Sequence, residues 1–183
     1  MKAPKHTHEL DEICYPFIYE SSQLCDFEIL AEDLFRQIGG ILTLLPEAQE
    51  ELFFELHELQ PLLYNLRGSI RGHCAITEDN HQWLLACYRV HKESTGSMLP
   101  GHILTRAQLP VPQVNRASSD TKRILRLMCR LQVEESIEVP EILFRFCNVL
   151  GNYLTILSKV VNQSDCLEEM PLQSEIVDLG IHY

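Results

Sequence analysis

Apolar residues recur at steps of three and four through five separate stretches of this chain, and a pattern with that period buries itself as one face of an α-helix. From Leu24 to Leu44 the apolar positions are Leu24, Phe27, Leu30, Ala31, Leu34, Phe35, Ile38, Ile41 and Leu42, with Gly39 and Gly40 weakening the last turns. Pro46 stands where a second helix can begin, and Glu47, Glu50 and Glu51 follow at the positive end of its dipole. That helix carries Leu52, Phe53, Leu56, Leu59, Leu62, Leu63 and Leu66, and bends at Pro61 if it runs on to Arg71. Thr77, ahead of Glu78 and Asp79, caps a third helix through Trp83, Leu84, Cys87 and Val90, ending near Ser94 to Gly96. Ser118, Ser119 or Asp120 caps a fourth, bearing Ile124, Leu125, Leu127, Met128 and Leu131, and Pro140 opens a fifth through Phe144, Cys147, Leu150, Leu154 and Leu157.

The segments between are less regular. Ser94 to Ser119 holds Gly96, Pro100, Gly101, Pro110 and Pro112 without a helical period and reads as a long loop, of the kind that is often functional or mobile. Met1 to Ser22 reads as an arm with little regular structure, to be ordered by a partner subunit. After Asn162 an acidic tail is expected to fray. The organisation expected is therefore an arm over 1–22, a helical bundle over 23–163 and a tail over 164–183. With no alternating strand and no internal repeat, the fold class is all-α, a five-helix bundle.

Composition narrows the function classes. The 183 residues include 15 Lys and Arg against 26 Asp and Glu, a formal charge of -11. That balance argues against a broad nucleic-acid face or an anionic membrane surface, both of which need clustered cations. The longest apolar runs, such as Ile41 to Leu45, fall far short of the roughly 20 residues that span a bilayer, and MKAPKHTHEL lacks a signal peptide's apolar stretch. A cytoplasmic location is expected. Cys14, Cys25, Cys74, Cys87, Cys129, Cys147 and Cys166 form an odd set without a CxxC pair, which speaks against a disulfide framework or an all-cysteine zinc site.

Two constellations could carry chemistry. On the fourth helix Arg123, Arg126 and Arg130 stand at steps of three and four, so that Arg126 and Arg130 share one face and can fork onto a phosphate chain. The alternative is a solvated basic face paired with Glu134 or Glu135. On the fifth helix Asn148 and Asn152 lie one turn apart with Gly151 between them. They suit a ligand site or two amides satisfied within a helix interface. Cys87 and His91 have a spacing that permits two ligands to one ion, but His81, or His6 and His8, or His73 with Cys74, could complete a site only through tertiary contact. No metal site is assigned. GxxxxGK[ST], GxGxxG, GxSxG and HExxH are all missing, so the familiar nucleotide and hydrolase scaffolds find no support.

LRLMCRLQVEES at 125–136 and PEILFRFCNVLGNYLTILSKVV at 140–161 resemble the paired C-terminal helices of the cobalamin adenosyltransferases, which carry Arg-x-x-x-Arg on one helix and Asn-x-x-x-Asp on the next. The helix order, the loop before the arginine helix and the short THEL element look most like the ethanolamine-utilisation branch. Taken loosely, the resemblance covers Asp26 to Asn162. It implies a homotrimer of five-helix bundles binding ATP, Mg and cobalamin between subunits, and transferring the 5′-deoxyadenosyl group of ATP to cob(I)alamin. Carried over by position, Arg126 and Arg130 would contact the triphosphate, and Asn148 and Asn152 would help to hold the nucleotide. No residue is assigned a catalytic proton transfer. Val133 stands where relatives have an acid, with Glu134 about 100 degrees further around the helix, and Asn152 replaces the usual Asp. The Thr-Gly-Asp-rich loop and the His and Cys cluster of the two branches are missing. These departures define the alternative: a non-catalytic homologue that binds corrinoid or partner proteins as a helical interaction module.

Overall fold

Each apolar stripe finds its partner on another helix in the computed structural model, which describes residues 7, 9–46, 48–95, 103–104, 107–164 and 170–171. Among these residues five α-helices form: α1 (Gln23–Leu42), α2 (Glu50–Gly68), α3 (Glu78–Ser94), α4 (Val111–Glu134) and α5 (Glu141–Ser164). α1 packs between α2 and α4, α5 packs between α4 and α3, and a slight contact between α3 and α2 closes the bundle. The core is one cluster that draws Phe27, Leu34 and Ile38 from α1, Leu56, Leu59 and Leu63 from α2, Ile124 and Met128 from α4, and Phe146, Leu150 and Tyr153 from α5. None of the described helices is long and apolar enough to cross a membrane.

Local signals explain most boundaries. Ser22 caps α1, accepting from Leu24 N. Thr77 caps α3, as the sequence leads one to expect, and Asn80 returns a bond that completes a reciprocal capping box. α2 begins at Glu50, later than Pro46, which instead heads a turn closed by Gln49 N donating to Pro46 O. Pro61 sits inside α2 without ending it, because it faces solvent, where water can satisfy the carbonyl it leaves free.

Three expectations are corrected. α4 starts at Val111, so the stretch read as loop up to Ser119 is helical from 111 onward. Pro112 occupies its first turn, where a proline costs no hydrogen bond, and the stripe runs back through Val114 and Val111. Residues 96–102 and 105–106 of the expected loop lie outside the described residues. Ile103–Leu104 (β1) pairs antiparallel with Met170–Pro171 (β2), a two-residue ladder that periodicity does not reveal. The arm is less irregular than expected, since residues 10–20 include a 3-10 turn and successive turns whose Tyr15, Phe17 and Glu20 side chains meet α1 and the end of α2.

Buried carboxylates tie the helices together. Glu55 of α2 accepts from Tyr153 Oη of α5 at 2.8 Å and lies 2.7 Å from His91 Nε2 of α3, both on Oε2, so one carboxylate joins three helices. Cys87 and His91 therefore do not form a ligand pair, since His91 is turned onto Glu55. Burial, with Glu55 nearby, pushes the Cys87 thiol up to about 12. The hydrogen bond to Glu55 raises His91 above 6.5 and outweighs the burial that opposes it. A histidine raised on folding contributes stability that is fully present below its unfolded pKa and lost as pH rises through its folded one. The stability gap between wild type and His91→Gln, followed by urea unfolding, is therefore expected to be widest below about pH 6.5 and to narrow at higher pH. A constant gap across the series refutes that linkage.

Gly151 of α5 lies against α4, where Ser118 Oγ donates to its carbonyl at 3.1 Å. A Cβ there would sit 3.7 Å from Thr121 Cγ2, an ordinary contact. The space therefore admits a methyl group, and Gly151→Ala should stabilise the protein by about 0.5–1 kcal/mol through reduced backbone entropy, read as a higher urea midpoint at unchanged slope.

Candidate functional site

α4 buries Val114, Ala117, Thr121, Ile124, Met128 and Leu131, and this turns Lys122, Arg123, Arg126 and Arg130 outward. Leu127 accompanies them along one wall of a groove of about 1020 Å³. α1 supplies Asp26, Ile29, Leu30, Glu32, Asp33 and Arg36, and the arm closes the rim with Cys14, Tyr15 and Ile18. Five cations thus meet three carboxylates in a chain whose overall charge is -11. The excess is local.

The cations differ in how free they are. Arg36 pairs with Glu32 at 2.5 Å, Arg123 with Asp120 at 3.0 Å and Arg130 with Glu134 at 3.1 Å. Lys122 and Arg126 have no ion-pair partner within 4.0 Å among the described residues. Arg126 is thus the guanidinium readiest for an anion. Asp120 is itself buried, accepting from Gln37 Nε2 at 2.8 Å, so it fixes α4 on α1 behind the groove.

Of the four residues singled out by sequence, Arg126 and Arg130 share this groove, whereas Asn148 and Asn152 do not line it. Both asparagines are exposed on α5, and Asn148 Nδ2 donates to Phe144 O of its own helix. The pairing of the basic face with Glu134 is realised for Arg130 alone. Val133 is 83% exposed, while Glu134, although displaced around the helix, reaches Arg130 through the i,i+4 spacing. Its side chain leans toward the helix N-terminus and so lies over the turn that carries Arg130. Glu135 turns the other way, accepting from Ser22 Oγ at 2.5 Å and Gln23 N at 2.7 Å.

Cys14, Tyr15 and Ile18 were missed as site residues because nothing periodic marks the arm. What places them is tertiary, beginning with the partnership of Tyr15 with Glu28, whose carboxylate accepts from Tyr15 Oη at 2.5 Å. Burial and that carboxylate push the Tyr15 phenol up to about 12. Elsewhere, Arg145 of α5 forks onto Glu78 of α3 at 2.7 and 2.9 Å and holds its carboxyl down at about 2. No three His, Cys, Asp or Glu side chains gather as a metal site among the described residues. His6 and His8 lie outside them.

The groove therefore combines a cationic wall with apolar side chains from Ile18 to Leu127, an arrangement whose charge and shape suit an anionic ligand with an apolar portion. No family model and no curated protein matches the sequence. Solved structures do. Two phenylalanine variants of the PduO-type ATP:corrinoid adenosyltransferase from Lactobacillus reuteri, each complexed with cobalamin and ATP, superpose with a TM-score of 0.74 at 17% and 18% identity. The first covers 86% of this chain and 90% of that one, the second 86% and 87%. An arginine-to-lysine variant from the same organism, complexed with ATP, gives 0.73 at 18% identity, over 85% and 90%.

The fold is that of the PduO-type ATP:corrinoid adenosyltransferases. The five-helix bundle expected of the adenosyltransferase type is thus observed. These three structures are of the PduO type and do not bear on the ethanolamine-utilisation branch. Because Glu134 competes for Arg130 at the surface, Glu134→Gln should tighten binding of inorganic tripolyphosphate by up to about fivefold, the range of an exposed ion pair. Calorimetric titration reads this directly, and equal affinities would show that Arg130 takes no part in anion binding.

Proposed function

We propose that this chain binds ATP in the α1–α4 groove and transfers its 5′-deoxyadenosyl group to the cobalt of a reduced corrinoid. The observation that carries the reading is Arg126, without an ion-pair partner among the described residues and beside Arg130, in a fold shared with two solved structures that hold cobalamin and ATP. A groove of about 1020 Å³ matches the upper end of ordinary ligand sites. It has room for a nucleotide and the approach of a second substrate.

The chemistry suits a site without a base. The electron pair of cobalt(I) attacks C5′ of ATP, the C5′–O bond breaks, and triphosphate leaves with that bond's electrons. No proton moves. The protein must hold C5′ in line, stabilise charge growing on the leaving group and exclude water. Arg126 and Arg130 would meet the triphosphate. Asp26 and Asp33 on the opposite wall suit the one or two carboxylates that usually accompany a phosphate-bound magnesium. Asn148 and Asn152 contribute only if a neighbouring copy brings them to the nucleotide, as the homotrimer implied by the resemblance would allow.

The test is anaerobic mixing of the protein with chemically reduced cobalamin and MgATP, followed by the visible spectrum of adenosylcobalamin against a control without protein. Product above the control is expected. Arg126→Ala should weaken ATP about 10- to 100-fold, the worth of a charge-assisted hydrogen bond, with oligomeric state unchanged by light scattering. A spectrum that changes with cobalamin but yields no product supports the non-catalytic binding homologue instead. No change at all refutes the corrinoid reading.

A further inference from the structure

The groove has a third wall that is not a helix. Its residues, Cys14, Tyr15 and Ile18, belong to a run of turns with local bonds such as Ile18 N to Tyr15 O at 3.2 Å and Glu20 N to Phe17 O at 2.9 Å. Local turns of this kind do not by themselves fix a segment against its neighbours. One anchor is a side chain from beyond the end of α2. Arg71 donates from Nε to Glu28 Oε1 at 2.7 Å and from Nη2 to Glu28 Oε2 at 3.1 Å, which plants it on α1. The same Nη2 reaches Glu20 of the arm at 3.0 Å, and the guanidinium lies 3.8 Å over the centre of the Phe17 ring. Glu28 is buried and also accepts from Tyr15 Oη at 2.5 Å. One turn earlier on α2, Arg67 lies over the Tyr15 ring at 5.5 Å and pairs with Glu32 at 3.3 Å.

Arg71 therefore grips α1 with one edge and the arm with the other. A planar fork with donors along its rim and a face open to stacking can do both at once, and a lysine cannot. We infer that Arg71 is a positioning residue that clasps the arm against α1, so that the arm forms the third wall of the groove and encloses what binds there. The inference rests on the groove being the ATP site. The clasp lies outside the groove, because neither Arg71 nor Glu20 lines it. It acts through Tyr15 and Ile18. Holding a wall in its bound position removes the ordering cost that a ligand would otherwise bear, and the gain appears as affinity.

Arg71→Ala would leave the buried Glu28 without its cation and could unfold the bundle. The informative variant is therefore Phe17→Leu with Glu20→Gln, which frees the arm and leaves the Arg71–Glu28 pair intact. Amide exchange at Ile18 and Glu20 is expected to quicken about tenfold, the combined worth of a half-buried ion pair and a cation–π contact. MgATP should bind about tenfold more weakly by calorimetry, while the melting temperature without ligand stays at the wild-type value. A merely structural role would lower that temperature instead, and this overturns the inference. Unchanged exchange refutes the clasp, and faster exchange with unchanged MgATP affinity refutes the wall. If the wild type itself binds no MgATP, the groove reading fails and the positioning role falls with it. If the wild type binds and the double variant binds equally well, the positioning role fails and the groove reading stands.

Discussion

Burial of one stripe of α4 sets the direction of every other side chain on that helix. Val114, Ala117, Thr121, Ile124, Met128 and Leu131 must face α1 and α5, because the helices flanking α4 cover them there. At 3.6 residues per turn, Lys122, Arg123, Arg126 and Arg130 then emerge along a single edge beside α1. The groove's cationic wall is a geometric consequence of the core. A slip of α4 by one residue would carry the arginines about 100 degrees away and force apolar residues into water, so fold and site share one register.

That register is held by carboxylates as much as by hydrocarbon. Asp120 binds Gln37 and Arg123, Glu135 caps α1 through Ser22 and Gln23, Glu55 joins α2, α3 and α5, and Glu28 collects Tyr15 and Arg71. Each lies where two or more elements meet. A carboxylate taken from water must be hydrogen-bonded or paired, and each of these finds donors from a different part of the chain. An acidic sequence thereby turns part of its charge excess into specificity of packing. Glu134 and Glu135, adjacent in sequence, both reach Gln23 of α1, the first through its Nε2 while also pairing with Arg130, the second through its backbone N at the helix start.

Sequence legibility followed the range of the interactions. The helices were legible because the stripe and the Thr77 cap are local. Arg126 and Arg130 were legible because their spacing places them on one face wherever the helix sits. The start of α4 was misread since Pro110 and Pro112 look like loop until the stripe through Val111 and Val114 is known to be covered. The arm and β1–β2 were illegible because their partners, Glu28, Arg71 and Met170, are distant in sequence. On spacing alone Val133 removes an acid from the neighbourhood of Arg130, yet Glu134 supplies one from the next position through the reach of its side chain.

The contrast between the groove and the rest of the surface bears on what the site can select. A protein of charge -11 repels a free polyphosphate at long range, but screening limits that field to about 8 Å at physiological salt. Within the groove the balance reverses, because five cations line it against three carboxylates, four of the cations on α4 and the fifth, Arg36, on α1 beside the carboxylates. Selection must therefore come from contact rather than from steering. Contact rewards a ligand that delivers phosphates to Arg126 and Arg130, brings a cation for Asp26 and Asp33, and lays an apolar or aromatic portion against Leu127, Ile29 and Tyr15. A magnesium-complexed nucleoside triphosphate meets all three demands at once, whereas inorganic phosphate meets the first alone. Under the proposed reading, the mixed wall of carboxylates and guanidiniums would favour a metal-bound nucleotide over a bare anion.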